Sequence, residues 1–343
     1  MMAAAINNFN ANEKILNYLD KLDYFFNGHK TLIVTEFDLT NRCNNKCPGC
    51  CGVNGNQAEL TKHQIDLIVD SLSDMDNQGV ILSGGGEPLI SPHFTYAVKS
   101  LRNKGIKLGL NSNGLALTEE LAELIADNCE YFRISLDAAS PELYLKTHGM
   151  SAAVFQKTVS NIRMFSDIKR KLGSEISFGV GFLTNQETAA EMEKFVQLVQ
   201  ECGADFAQFR PFTGDMHDVT ETYLRLKERY ETPDFGVRAS VQKYREMRTK
   251  GERGYNRCRG MFFSTVITAD AKVFACLHHR QNDAYYLGQI NDQVSLADIF
   301  RSARMREVYE AIDCAQCPVM CRNDVFNRTL DVLSLDVTHS AFL

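Results

Sequence analysis

The sequence predicts an α/β fold of repeated strand–helix units, closed by a small hairpin-and-helix module. Three observations carry this. Short apolar runs alternate with helical patterns six times between Thr31 and Phe209, the polar motifs fall at the carboxyl ends of those runs, and all but two of the eleven cysteines gather near the two ends of the chain. Repeated βα units imply parallel strands joined by right-handed crossovers, hence a barrel or a doubly wound sheet. In such folds the reactive groups collect on loops at the carboxyl ends of the strands.

The elements follow in order. Ile15, Leu19, Leu22 and Phe26 recur at helical spacing, so Glu13 to Phe26 reads as an amphipathic helix within an N-terminal segment, residues 1–30. Thr31 to Leu39 is a strand, Leu60 to Met75 a helix, Val80 to Leu82 a strand and Pro92 to Asn103 a helix. Ile106 to Leu110 is the third strand. A helix opens at Thr118 with Glu119 and Glu120 in its first turn, where acids suit the helix dipole. Tyr131 to Leu136 is a strand, Ala152 to Lys171 a helix, Ile176 to Leu183 a strand, Glu187 to Glu201 a helix closed by Gly203, and Phe206 to Phe209 a strand. Between the fourth strand and its long helix, Thr147-His148-Gly149-Met150 reads as a helix-breaking turn carrying a surface histidine, with a general acid or base near substrate as the alternative. The repeats occupy residues 31–215.

From Glu221 to Arg253 basic and acidic side chains intersperse, which reads as a solvated helical linker, residues 216–254. Residues 255–343 form the last unit. Thr265–Thr268 and Val273–Cys276 flank Ala269-Asp270-Ala271 as a β-hairpin, and Leu296–Tyr309 is a helix leading to Cys314, Cys317 and Cys321.

Composition narrows the function classes. Of 343 residues, 44% are hydrophobic, as in an ordinary globular core. A net charge of -6 and a pI near 5.8 give no basic field, which argues against a nucleic-acid partner. The first ten residues lack a signal-peptide pattern, and no run approaches the ~18 apolar residues of a membrane span. A cytoplasmic protein with no membrane partner is expected. Thiols in a reducing compartment favour metal sites over disulfides.

The loop after the first strand contains Cys43, Cys47 and Cys50, spaced by three and then two residues, with Cys51 adjoining. Iron–sulfur clusters are normally held by four thiolates, so a four-iron cluster on this loop keeps one iron without a protein ligand. Structural zinc wants four closed ligands, and the next Cys-x-x-Cys, Cys314 to Cys317, lies a whole domain away.

This spacing resembles the signature of the radical SAM superfamily. The resemblance implies a partial (β/α)6 TIM-like barrel and a four-iron cluster whose open iron chelates S-adenosylmethionine and cleaves it to a 5'-deoxyadenosyl radical. The residue before the last cysteine is usually aromatic in the family. It is Gly49 here, so that packing contact must come from elsewhere. Ser83-Gly84-Gly85-Gly86-Glu87-Pro88 resembles the motif that meets the cofactor's amino group, and Ser112-Asn113-Gly114 the family's Thr-Asn-Gly turn, the alternative for the latter being a plain turn. Ser135-Leu136-Asp137 resembles the pattern contacting ribose and carboxylate, with helix capping by Asp137 as the alternative. Arg210 suits a carboxylate or ribose, or is a surface arginine.

The last unit is similar to twitch and SPASM domains. Cys258, Cys276, Cys314, Cys317 and Cys321 are too few for two fully cysteine-ligated clusters, so one auxiliary four-iron cluster is implied, with zinc as the alternative. The family's glycine before the second cysteine is Ala271 here. Cys129 and Cys202 read as buried hydrophobes.

The resemblance further implies an electron donor such as flavodoxin or ferredoxin. With no room for a leader-peptide-binding domain before Thr31, the expected reaction is hydrogen abstraction from a carbohydrate or aminocyclitol-like small molecule, with dehydrogenation or epimerisation as the outcome. Peptide maturation is the alternative, and a non-enzymatic iron–sulfur protein the less favoured one. Epimerisation needs a thiol hydrogen donor, for which Cys51 and Cys321 are the candidates.

Overall fold

The computed structural model describes residues 12–50, 52, 57–212, 215, 217–241, 243–244, 253–318 and 321–334. Its sheet runs β1 (Val34–Asp38), β2 (Gly79–Ser83), β3 (Lys107–Ser112), β4 (Tyr131–Ser135), β5 (Ser177–Thr184), β6 (Phe206–Pro211), β7 (Gly236–Ala239), β8 (Ser264–Ile267), β9 (Lys272–Phe274) and β10 (Tyr286–Gln289) in chain order. In space the order is β10-β9-β8-β1-β2-β3-β4-β5-β6-β7. The pairs from β8 through β7 are all parallel.

The crossovers are α2 (Lys62–Asp74), α3 (Phe94–Asn103), α4 (Glu119–Asn128), α5 (Pro141–His148), α6 (Ala152–Leu172) and α7 (Met192–Glu201), followed by α8 (Thr220–Tyr230). Neighbours pack on one another, α2 on α3, α3 on α4 and α4 on α6. They therefore form one layer outside a curved sheet, a partial barrel, and not two layers around a doubly wound one. Phe132 and Phe178 on the outer face of the sheet meet Phe165 of α6 with ring centroids 4.8 and 4.5 Å away. Phe182 and Phe209 do the same against Phe195 of α7.

The inner face is polar where it is not plugged. Along β4 the inward residues are Tyr131, Arg133 and Ser135, and along β6 they are Phe206, Gln208 and Arg210. A Cβ on Gly109 would fall 2.1 Å from the Tyr131 ring, and one on Gly179 would fall 2.2 Å from the Phe206 ring. The two rings lie where side chains of β3 and β5 would be and close the lower end of the lumen. It opens upward, toward the loops that follow the strands.

Three expectations change. The charged segment is not a helical linker throughout, because Gly236–Ala239 pairs in parallel with β6 as a seventh barrel strand. Phe235, Val237 and Ala239 supply its buried residues, and Arg238 lies over the Phe206 ring at 3.9 Å. The hairpin is not a detached appendage either. β8 pairs with β1 in register from Val34↔Ser264 to Phe37↔Ile267, so the last unit extends the barrel sheet. At the N-terminus a 3-10 turn, Asn12–Asn17, precedes α1 (Leu19–Phe26). The break at Tyr18 resets the helical phase: Ile15 and Leu22 are buried, but Leu19 and Phe26 are 66% and 45% exposed. Among the described residues no helix is long and apolar enough to cross a membrane.

Candidate functional site

The cysteine loop is fixed to the barrel mouth from three sides. Arg42 O accepts from Glu87 N at 2.8 Å, and Lys46 N donates to His148 O at 3.2 Å. Asn113 Nδ2 donates to Asn44 Oδ1 at 2.6 Å. Two glycines permit this approach, since a Cβ on Gly86 would fall 2.0 Å from Arg42 O and one on Gly149 2.7 Å from Lys46 O. Gly86 in the predicted cofactor motif is thus explained by backbone contact with the loop that bears the cysteines.

Glu87 is committed to the chain. Its Oε1 accepts from Leu89 N and Ser112 Oγ, and its Oε2 from Asn113 N at 2.7 Å. The carboxylate brackets the ends of β2 and β3, and Gly84 O already accepts from Arg280 Nη1 at 2.7 Å. Ser135 ends β4 on the inner face. Asp137 has a positive φ of 50°. It does not cap the next helix, which Ser140 does through Leu143 N. Instead Asp137 Oδ1 accepts from Leu183 N at 2.7 Å, tying β4 to the end of β5.

His148 is a correction. It is 3% exposed, because α5 ends in Gly149 in the left-handed conformation and turns the ring inward. Nε2 lies 2.9 Å from Leu136 O, which can only accept, so the proton is on Nε2 and Nδ1 is the acceptor. Nδ1 faces Cys47 Sγ at 3.1 Å and Asn45 Nδ2 at 3.3 Å. Burial holds the imidazole below its ordinary value, Asp137 opposing. Burial also pushes the Cys47 thiol up to about 12, with further contributions from Cys50, Asp137 and Cys43. Cys51 lies outside the described residues.

Phe212, just after β6, fills the gap left by the missing aromatic. A Cβ on Gly49 would fall 2.4 Å from Phe212 Cζ. A ring thus reaches the cysteine loop from the opposite side of the barrel, which no local spacing signals.

The C-terminal cysteines come from three stretches of chain. Cys258 precedes the 3-10 turn Arg259–Phe262, Cys276 follows β9 by two residues and precedes the 3-10 turn Leu277–His279, and Cys314, Cys317 and Cys321 follow the helix Ala303–Ala311. Cys314, Cys258 and Cys317 interact with one another, which raises the Cys314 thiol and lowers those of Cys258 and Cys317. Cys276 is pushed up to about 12 by burial, with Cys258 and Cys317 adding to it. Cys321 is raised by burial, then by Cys276 and Cys258. It stands with this sulfur group rather than at the barrel mouth. Among the described residues no group of three or more His, Cys, Asp or Glu is arranged for a single metal ion. Cys129 and Cys202 are buried apart from both sets.

Several supporting residues carry no motif. α11 (Asp324–Leu333), preceded by α9 (Leu296–Arg301) and α10 (Ala303–Ala311), presents Asn327 Nδ2 to Cys258 Sγ at 3.4 Å. Arg253 donates to Cys317 O at 3.1 Å and Pro318 O at 2.7 Å and also grips Cys314 O. Between the two sulfur sites Glu36 pairs with Arg280 at 3.2 Å and with Arg322. Asp38 stands 3.5 Å from Arg280. A buried charge without a neighbouring partner announces itself weakly in sequence, and these partners are more than 240 residues apart.

Two family models match the chain, one over each cysteine-bearing region. Residues 37–199 match the radical SAM superfamily, and residues 258–322 match SPASM, an iron–sulfur cluster-binding domain. The chain is 24% identical over 328 residues to mycofactocin maturase MftC of Mycobacterium ulcerans, covering 86% of this chain and 83% of that protein. It is 28% identical over 172 residues to the AdoMet-dependent heme synthase of Methanosarcina barkeri, a match that covers 49% of this chain and spans only about half of that protein, 47%. Streptococcus suis SuiB, solved bound to precursor peptide SuiA, superposes with a TM-score of 0.66 at 13% identity, covering 92% of this chain and 75% of that one.

Proposed function

Starting from a chain that is a radical SAM enzyme with a C-terminal SPASM-type domain, binding S-adenosylmethionine, a SAM-binding four-iron cluster and auxiliary iron–sulfur, we propose that it modifies a ribosomally made peptide. The observation that carries this is a relative named mycofactocin maturase, whose likeness covers 86% of this chain and 83% of that protein. The peptide-bound neighbour SuiB points the same way. The peptide reading therefore stands ahead of the carbohydrate or aminocyclitol one.

Cys43, Cys47 and Cys50 would hold the SAM-binding cluster. That cluster would supply, when reduced, the one electron that splits bound S-adenosylmethionine into methionine and a 5'-deoxyadenosyl radical able to take hydrogen from substrate. The chain's part is positional. Asn113 and His148 fix the cysteine loop, and the Tyr131 and Phe206 rings close the lower end of the lumen. Cys258, Cys276, Cys314, Cys317 and Cys321 furnish the ligands of one auxiliary cluster, with Asn327 and Arg253 orienting them. We assign an oxidative outcome, since an electron acceptor beside the lumen suits loss of hydrogen, with flavodoxin or ferredoxin as the donor.

The test is 5'-deoxyadenosine formation by anaerobically reconstituted, dithionite-reduced protein, with and without peptides encoded in neighbouring reading frames. A matched peptide should accelerate cleavage about tenfold or more and emerge lighter by two hydrogens. Acceleration by an aminocyclitol or sugar, and by no peptide, would return the reading to small molecules.

A further inference from the structure

One guanidinium holds the loop that carries two of the C-terminal thiols. The 3-10 turn Cys314–Gln316 is too short to satisfy the carbonyls around its end. Arg253 serves them from outside the turn. Its Nη1 donates to Cys317 O at 3.1 Å and also to Cys314 O, and its Nη2 donates to Pro318 O at 2.7 Å. The remaining edge of the fork, Nε, faces Asp324 Oδ1 at 3.5 Å, and the arginine side chain is 6% exposed.

Asp324 stands at the start of α11 and is itself buried, at 1% exposure. Its Oδ1 also accepts from the Tyr255 hydroxyl at 2.5 Å, and its Oδ2 accepts from Arg328 Nε at 2.7 Å. Side chains from both ends of the last unit therefore fix one cation against the backbone that bears the sulfurs. Burial opposes the Arg253 charge, but Tyr255, Cys321, Cys317 and Asp324 outweigh it and raise the guanidinium further. Arginine stays charged at neutral pH. An iron–sulfur cluster gains one negative charge when it is reduced, and its potential follows the charge, hydrogen bonding and exposure around its sulfurs. A buried cation held beside Cys314 and Cys317 favours that extra charge, because little water is present to screen it.

We propose that Arg253, set in place by Asp324, raises the reduction potential of the auxiliary cluster. Arg253 is a positioning residue in this role, since it touches the backbone of thiol-bearing residues and acts through them. Asp324 has the opposite sign of effect: its carboxylate fixes the fork and offsets part of the charge. The inference rests on the oxidative reading only for its purpose. In that reading a hydrogen atom goes to the 5'-deoxyadenosyl radical, a proton to solvent, and the remaining electron to an iron–sulfur acceptor, which a fixed cation makes easier to reduce.

The test is an EPR-monitored redox titration of the full chain, reconstituted anaerobically with both clusters and without substrate. Arg253→Gln removes the charge and should lower the auxiliary potential by about 60 mV, a tenfold change for one electron. Asp324→Asn keeps the shape, leaves the guanidinium less compensated and should raise the potential. Arg253→Lys keeps the charge with fewer donors. It should lie between Arg253→Gln and wild type, and it guards against a glutamine variant that fails to hold iron. The SAM-binding cluster, recognised by the change in its EPR spectrum on adding S-adenosylmethionine, should keep its potential in all three. Shifts of the same sign in Arg253→Gln and Asp324→Asn, or no shift, would overturn the proposal, because a merely loosened loop does not distinguish the two charges. So would loss of auxiliary iron from all three variants, which would make the network structural alone. No substrate enters the titration. A product that keeps its hydrogens would therefore remove the oxidative reading and leave this result standing, and unmoved potentials would leave the peptide reading intact.

Discussion

At the scale of single residues, a buried carboxylate shows how the lumen trades stability for charge. Asp38 is fully buried, and desolvation, against the opposing pull of Arg280, pushes its carboxyl from 3.8 up to about 6. A group raised in the folded state gives stability that is full below the unfolded value. That stability is lost as pH rises through the folded value. The loss therefore begins above about pH 4 and is complete once pH passes about 6, and it amounts to about 3 kcal/mol. Asp38→Asn keeps the shape, removes the charge and leaves Arg280 with Glu36. The variant is expected to be more stable than wild type at pH 7.5, with an advantage that grows from pH 5 upward in urea denaturation. An advantage constant across that range would show that the wild-type carboxylate is already ionised at its lower end. Phe212 belongs to the same scale. Its ring takes the place of the side chain missing at Gly49, so the two positions form one packing unit drawn from opposite sides of the barrel.

At the scale of elements, the β8–β9 hairpin carries a local conflict. Ala271 sits at φ 58°, in the left-handed region, and is 1% exposed. Its N–H donates to Thr268 O, and Ile290 N donates to its carbonyl, so the turn is held from both sides. An alanine there costs about 1 kcal/mol that a glycine would not. Ala271→Gly should raise stability by about 0.5 to 1 kcal/mol, the gain being trimmed by glycine's freedom in the unfolded chain. A lowered Tm would mean that the methyl group's packing outweighs the backbone strain. Gly109 and Gly179 are the opposite case, because their neighbours' rings occupy the side-chain space and leave no room for a methyl group.

At the scale of the whole molecule, one sheet links the two sulfur sites. β8 pairs with β1, so the strand that leads into the cysteine loop is hydrogen-bonded to the strand that leads out of the Cys258 turn. Arg280 adds a second link, from beyond Cys276 to Gly84 O. Two clusters on one rigid sheet should load independently, since their ligands are separate. Anaerobic reconstitution is expected to give about eight irons per chain, and about four after Cys43, Cys47 and Cys50 are replaced by Ala. Stoichiometric zinc without cluster absorbance would overturn the cluster assignment.

The alternation of apolar runs with helical patterns was enough to determine the parallel α/β class, because each strand and crossover helix is specified by its own short-range periodicity. The spacing of Cys43, Cys47 and Cys50 likewise needed no tertiary information, since three ligands on one short loop converge wherever the loop is placed. Periodicity did not reveal β7, whose four residues sit within a charged segment and become a strand only beside β6. It also gave no sign that β8 would join β1, or that His148 would turn inward onto Cys47. Those depend on closing the barrel, which brings residues a hundred or more positions apart within hydrogen-bond distance. The same closure sets Phe212 against Gly49 and leaves Arg133 opposite Arg210 over Gly181. No local pattern records such pairings, because their energy comes from contacts that exist only once the sheet has curved.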